Sequence, residues 1–117
     1  MHEVSLAGGI LKIVEDAAQR EGFARVTRLK LEAGALSGVE LRALRFALES
    51  IVPDTVLQDA VIDIEMPPGE AWCMQCCQTV TIQSRLDSCS VCGSHRLQPT
   101  GGTELRVLEM LVEDQPA

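Results

Sequence analysis

Cys73-Met-Gln-Cys76 and Cys89-Ser-Val-Cys92 are two CxxC pairs separated by twelve residues. Each pair can fold into a tight knuckle that offers two thiolates at one corner of a tetrahedron. Two knuckles close a four-thiolate set of the kind that holds Zn²⁺. A closed set leaves no coordination position for substrate, so its role is structural rather than catalytic. Two disulfides or a redox CxxC are the competing readings of the motif, and the paired spacing favours metal. Cys77, the fifth cysteine, adjoins a knuckle but has the wrong local spacing to replace Cys76. A second candidate is the start, Met1-His2-Glu3. The Met1 α-amine, the His2 backbone nitrogen and the His2 imidazole can close adjacent chelate rings. The backbone nitrogen or carboxylate of Glu3 could supply a fourth donor. A nitrogen-rich planar set selects Ni(II) or Cu(II). The bulky His2 should protect Met1 from removal.

Bulk properties narrow the function. The chain has 117 residues, enough for one domain or one domain with a metal-held insert. Apolar residues make up 46% and aromatics 3%, with no Tyr, so the core is aliphatic. Net charge is −7 and the pI near 4.7, a surface that repels phosphate backbones and argues against nucleic acid. No secretory leader or membrane-length apolar run is evident, which points to a cytoplasmic protein whose thiols stay reduced. No P-loop lysine, Ser/His/Asp set or paired carboxylates stand out, so the chain reads as a binding protein and not an enzyme. His95 and the acidic residues Glu15, Asp16, Glu32, Glu40, Glu49, Asp63 and Glu65 read as surface.

The elements that must position these sites follow from periodicity. Leu6, Ile10, Ile13, Val14, Ala17 and Ala18 give an amphipathic helix from Glu3 to a stop at Gly22. Val26 to Ala33 reads as a strand. Ser37 and Glu40 form an S-x-x-E capping box before a second helix that ends near Val52 and buries Leu41, Leu44, Leu48 and Ile51. Gln58 to Met66 alternates as a half-buried strand, with Ala60, Ile62, Ile64 and Met66 on one side. Pro67-Pro68-Gly69 and Pro99-Thr-Gly-Gly102 punctuate the two ends of the cysteine module. Leu105 to Glu113 is apolar enough for a central strand, and 114–117 should fray. The expected fold is α+β: two helices on a small three-stranded sheet, with an inserted four-cysteine zinc-ribbon module. The domains are 1–67 plus 99–117, and 68–98.

The chain resembles the HypA/HybF family of hydrogenase nickel-insertion accessory proteins. The resemblance rests on Met1-His2-Glu3-Val4-Ser5 with the long first helix, Gly34-Ala35-Leu36-Ser37, Leu44-Arg45-Phe46, both cysteine knuckles, and Gly102-Thr103-Glu104-Leu105. It implies a nickel metallochaperone with an α/β nickel domain and a zinc domain. Met1, His2 and Glu3 would supply the nickel site, with His2 indispensable, and Cys73, Cys76, Cys89 and Cys92 would hold zinc. The implied partners are the maturation GTPase of the hydrogenase pathway, the hydrogenase large-subunit precursor and, in some organisms, urease accessory proteins. Val4 stands where Met or Leu is common, and Cys77 and Ser90 replace a frequent Gly and Pro at the knuckles. The alternative is a zinc-ribbon protein-interaction module without nickel function.

Overall fold

The structure is a computed structural model that describes residues 2–114. Chain order is α1 (Glu3–Glu21), β1 (Phe23–Ala33), α2 (Leu41–Ile51), β2 (Val61–Glu65), β3 (Gly69–Cys73), β4 (Gln78–Ile82), β5 (Leu97–Gly101) and β6 (Leu105–Asp114). The strands form two three-stranded sheets, ordered β2-β1-β6 and β4-β3-β5. This is the α+β class expected. The chain divides into two compact units, one of Met1–Leu31, Val39–Asp63 and Val107–Ala117, the other of Glu32–Gly38 and Ile64–Arg106.

The first unit holds both helices and most of the first sheet. Ala7, Ile10, Val14, Ala17 and Ala18 recur at helical spacing on α1 and are buried, while Gly22 closes the helix in the left-handed region. Ile13, expected on that stripe, is 54% exposed because it lies a position off it. α2 buries Leu44, Ala47 and Leu48, and Leu41 and Ile51 remain half-buried. Val26, Leu29 and Leu31 of β1 and Leu57 complete an aliphatic core.

Three further expectations change. The α2 cap is Glu40 itself, whose carboxylate accepts the Arg42 and Ala43 N–H groups; Glu40 is not the third residue of a box begun by Ser37. β2 is shorter than Gln58 to Met66, because Gln58 and Ala60 donate into turns, and Met66 is exposed rather than buried. β6 is an edge strand, since β1 takes the centre. Its apolar composition misled because Leu108, Leu111 and Val112 stay exposed.

The second unit is a three-stranded sheet, one strand more than a ribbon hairpin. β3 is central and antiparallel to both neighbours. Its core is small: Leu36, Ala71, Val80 and Ile82 around Cys73 and Cys89. Leu36 donates to the Gly102 carbonyl at 2.8 Å, and Gly34 donates to that of Glu104 at 2.9 Å. A Cβ on Gly34 would stand 2.1 Å from the Gly102 carbonyl oxygen, so this crossing requires glycine.

Leu48 is fully buried in the first unit. Leu48→Ala should cost about 2–5 kcal/mol in denaturant unfolding, through lost transfer energy and a residual cavity. Unchanged stability would mean that α2 does not anchor this core.

Candidate metal centre

β3 ends at Cys73 and β4 begins at Gln78, so the first knuckle is the connection between two paired strands. The second knuckle follows in the long connection from β4 to β5. The two are built alike. Cys77 donates its N–H to the Cys73 carbonyl at 2.9 Å, and Gly93 to that of Cys89 at 2.8 Å. Both donors have positive φ, 56° at Cys77 and 77° at Gly93. Cys77 therefore fills the left-handed closing position of its knuckle, the place glycine takes in the other.

The Sγ atoms of Cys73, Cys76, Cys89 and Cys92 all lie within 4.8 Å of one another. Cys73 and Cys92 are 3.6 Å apart, Cys76 and Cys89 3.8 Å. A tetrahedron with metal–sulfur bonds of about 2.3 Å needs sulfurs about 3.8 Å apart, whereas a disulfide needs about 2.05 Å. The cysteines are free, and their spacing is that of a four-thiolate metal site.

The knuckles also prepare the charge. Cys76 N–H points at Cys73 Sγ, and the Val91 and Cys92 N–H groups point at Cys89 Sγ, at 3.4–3.5 Å. The Cys92 N–H, then that of Val91, hold the Cys89 thiol down at about 6. The Cys76 N–H likewise lowers Cys73. Burial, followed by the neighbouring thiols, pushes Cys76 up to about 12. The first cysteine of each knuckle is thus the readier thiolate. A cation among the four would favour the charged form of all.

At the other candidate, Met1 lies outside the described residues. His2 is exposed and caps α1, its carbonyl accepting the Leu6 N–H at 2.9 Å. Its Nδ1 stands 3.8 Å from Glu3 Oε2. Glu3 is buried, 6% exposed, and its carboxylate accepts the Glu40 N–H at 3.2 Å. One carboxylate thus joins the first turn of α1 to the residue that caps α2. Sequence reading missed this because the link spans 37 residues. The α-ammonium group at the chain's start, and after it the Glu40 N–H, hold the Glu3 carboxyl down at about 2. His95 is exposed and is not among the clustered ligands.

Comparison with known proteins gives a consistent result. A family model described as "Hydrogenase/urease nickel incorporation, metallochaperone, hypA" matches residues 1–112. A relative named hydrogenase maturation factor HypA, from Polaromonas naphthalenivorans, is 64% identical over 98% of this chain and 100% of its own length. A relative of the same name from Cupriavidus necator is 65% identical over 97% and 96%. The solution structure of the Ni metallochaperone HypA from Helicobacter pylori shares the fold, with a TM-score of 0.70 at 23% identity, covering 98% of this chain and 100% of that one.

Two outcomes test this geometry. Cys77→Gly should keep full metal content and gain up to about 1 kcal/mol by relieving a left-handed non-glycine residue. Cys76→Ser should lose metal; equal metal loss in both variants would place Cys77 among the ligands. The second outcome concerns acid. Glu3's lowered pKa means its stabilising effect is whole above the ordinary value of 4.5 and fades as pH falls toward about 2. In denaturant titrations, wild type should exceed Glu3→Gln in stability at neutral pH, and the gap should close across that window. A gap independent of pH would show that the carboxylate's charge is not what matters.

Proposed function

Because the chain belongs to the HypA family of hydrogenase and urease nickel-incorporation proteins, we propose that it carries Ni(II) at its amino end and delivers it to the hydrogenase large-subunit precursor. The observation that carries this reading is the extent of the family match. It spans residues 1–112, a range that takes in the Met1-His2-Glu3 start. Zinc in the four-cysteine site is the structural counterpart. The sulfur spacing supports a tetrahedral d¹⁰ ion, and the closed set gives no opening for chemistry. The protein is a carrier, and nucleotide hydrolysis belongs to the maturation GTPase that works with it in the cytoplasm. The nickel unit is the one that holds α1 and α2, and the zinc unit the one that holds the four cysteines.

The local structure bears on which atoms hold nickel. The first N–H groups of an α-helix have no carbonyl partner within the helix. Deprotonating a backbone nitrogen there costs no helical hydrogen bond. The positive pole of α1 also favours the negative charge that an amidate nitrogen brings. His2 sits at this pole with its imidazole open to solvent. The Glu3 carboxylate is already engaged at Glu40, which favours the Glu3 backbone nitrogen as the fourth donor. The donors are then the Met1 amine, the His2 backbone nitrogen, the His2 imidazole and the Glu3 backbone nitrogen.

Calorimetric nickel titration tests the assignment. His2→Ala and a chain extended by one residue before Met1 should both lose about tenfold or more in affinity, by removal of a chelating donor. Glu3→Gln should lose far less, and all three should retain zinc. Equal nickel affinity in wild type, His2→Ala and the extended chain would move the site elsewhere.

A further inference from the structure

The chain has one tryptophan, and it is not in the core. Trp72 lies on β3, the central strand of the second sheet, yet is 40% exposed. Strand alternation explains how. Ala71 and Cys73 turn inward with Val80 and Ile82, while Glu70 and Trp72 turn to the open face. Trp72 stands opposite Thr79 on one side and Gln98 on the other. Glu70 stands opposite Thr81 and Gly101. The indole therefore rises from a bed of short or polar residues. Thr79, Thr81 and Gln98 are themselves exposed.

Glu70 adds charge to this face. It enters no ion pair with another described residue. Gly101 has no side chain to cover it; a Cβ there would lie 3.5 Å from Glu70 Oε2. Beside it is a concavity of about 440 Å³, to which Glu32, Glu70, Glu104 and Arg106 contribute. Arg106 is already shared between Glu32, at 2.7 Å, and Glu104, at 3.9 Å. One cation for three carboxylates leaves the Glu70 end negative.

The chemistry selects an occupant. A nucleic-acid base could stack on the indole, but its phosphates would meet Glu70 on a chain of net charge −7. A purely apolar segment would bury Glu70 and the threonines without partners. A cation suits both features. Tryptophan is the best aromatic face for one, within about 6 Å of the ring. Residues two apart on a strand are about 6.6 Å apart, so a group over the indole reaches the neighbouring carboxylate. Guanidinium meets both demands, since it stacks flat on an aromatic ring and donates in its plane to a carboxylate, whereas an ammonium is a point charge. We propose that the Trp72–Glu70 face of the second sheet docks an arginine side chain presented by a partner protein.

Trp72 reports on its own surroundings, because with no Tyr in the chain its emission dominates the fluorescence. The probe is tetra-arginine amide, titrated into the metal-loaded full chain and compared with tetracitrulline amide and tetralysine amide. Tetra-arginine should give a saturable emission change, tetracitrulline none, and tetralysine weaker binding. Glu70→Gln should weaken tetra-arginine about fivefold, the size expected when a stacked cation loses its carboxylate. Glu113→Gln, which removes the same charge from β6, should leave binding unchanged. Trp72→Ala, followed by calorimetry with metal content checked, should abolish it. Equal weakening by Glu70→Gln and Glu113→Gln would reduce the effect to general attraction between a cation and an acidic chain. Citrulline or lysine acting as well as arginine, binding retained by Trp72→Ala, or no saturable change would each overturn the proposal.

Discussion

Four sulfur atoms within 4.8 Å of one another repel as thiolates and are poorly packed as thiols. The second unit depends on that conflict being resolved by a cation. Its apolar core is only Leu36, Ala71, Val80 and Ile82 with the two buried cysteines. So small a core cannot offset the ordering of three strands and two knuckles unaided. Metal binding supplies the remainder, and the same residues serve as core and as ligands. The N–H groups aimed at Cys73 and Cys89 lower the cost of ionising the first cysteine of each knuckle. Those N–H directions follow from the knuckle backbone, which explains why its closing position takes a left-handed residue even where that residue is Cys77.

The first unit rests on a different footing. Its core of Val14, Val26, Leu29, Leu31, Leu44, Leu48 and Leu57 is aliphatic and includes no metal-ligating side chain among these residues. What links this core to the amino end is Glu3. A buried carboxylate is costly unless its lone pairs are met. Here the Glu40 N–H meets one, and Glu40 in turn uses its own carboxylate to cap α2. The first turn of α1 is thereby held in helical form up to His2. A helix pole in a fixed place, with an exposed imidazole, suits the nitrogen-donor site proposed above.

How much of this was legible in the sequence depended on range. The knuckles were readable because ligand spacing is local, and so were the two helices, through Leu44 and Leu48 on one and Ile10, Val14 and Ala17 on the other. The helix caps were half readable: Ser37 and Glu40 fit a known pattern, but the backbone stays extended through Glu40 and begins the helix after it. Strand order was not readable. β6 has the composition of a central strand, and only the competition for both sides of β1 puts it at the edge. The Glu3–Glu40 link and the convergence of Glu32, Glu70, Glu104 and Arg106 were also out of reach, since pairing between distant segments leaves no periodic trace.

The four-cysteine site and the terminal nickel site proposed above differ in the way a carrier needs them to differ. Four thiolates drawn from two knuckles bind as part of the fold, so losing the ion means undoing the unit. Donors adjacent along the chain at an exposed helix start can open one at a time, with little else moving. Amidate nitrogens gain protons as the ion leaves, so release is helped wherever a recipient offers donors that need no deprotonation. The terminal site proposed above would therefore hold nickel in water, yet yield it to a preformed pocket. The four-cysteine site has no such route, because two of its ligands, Cys73 and Cys89, lie in the core and cannot turn outward without exposing it. On that proposal, keeping the exchangeable ion out of the thiolate set is a consequence of the burial of Cys73 and Cys89 as much as of ligand type.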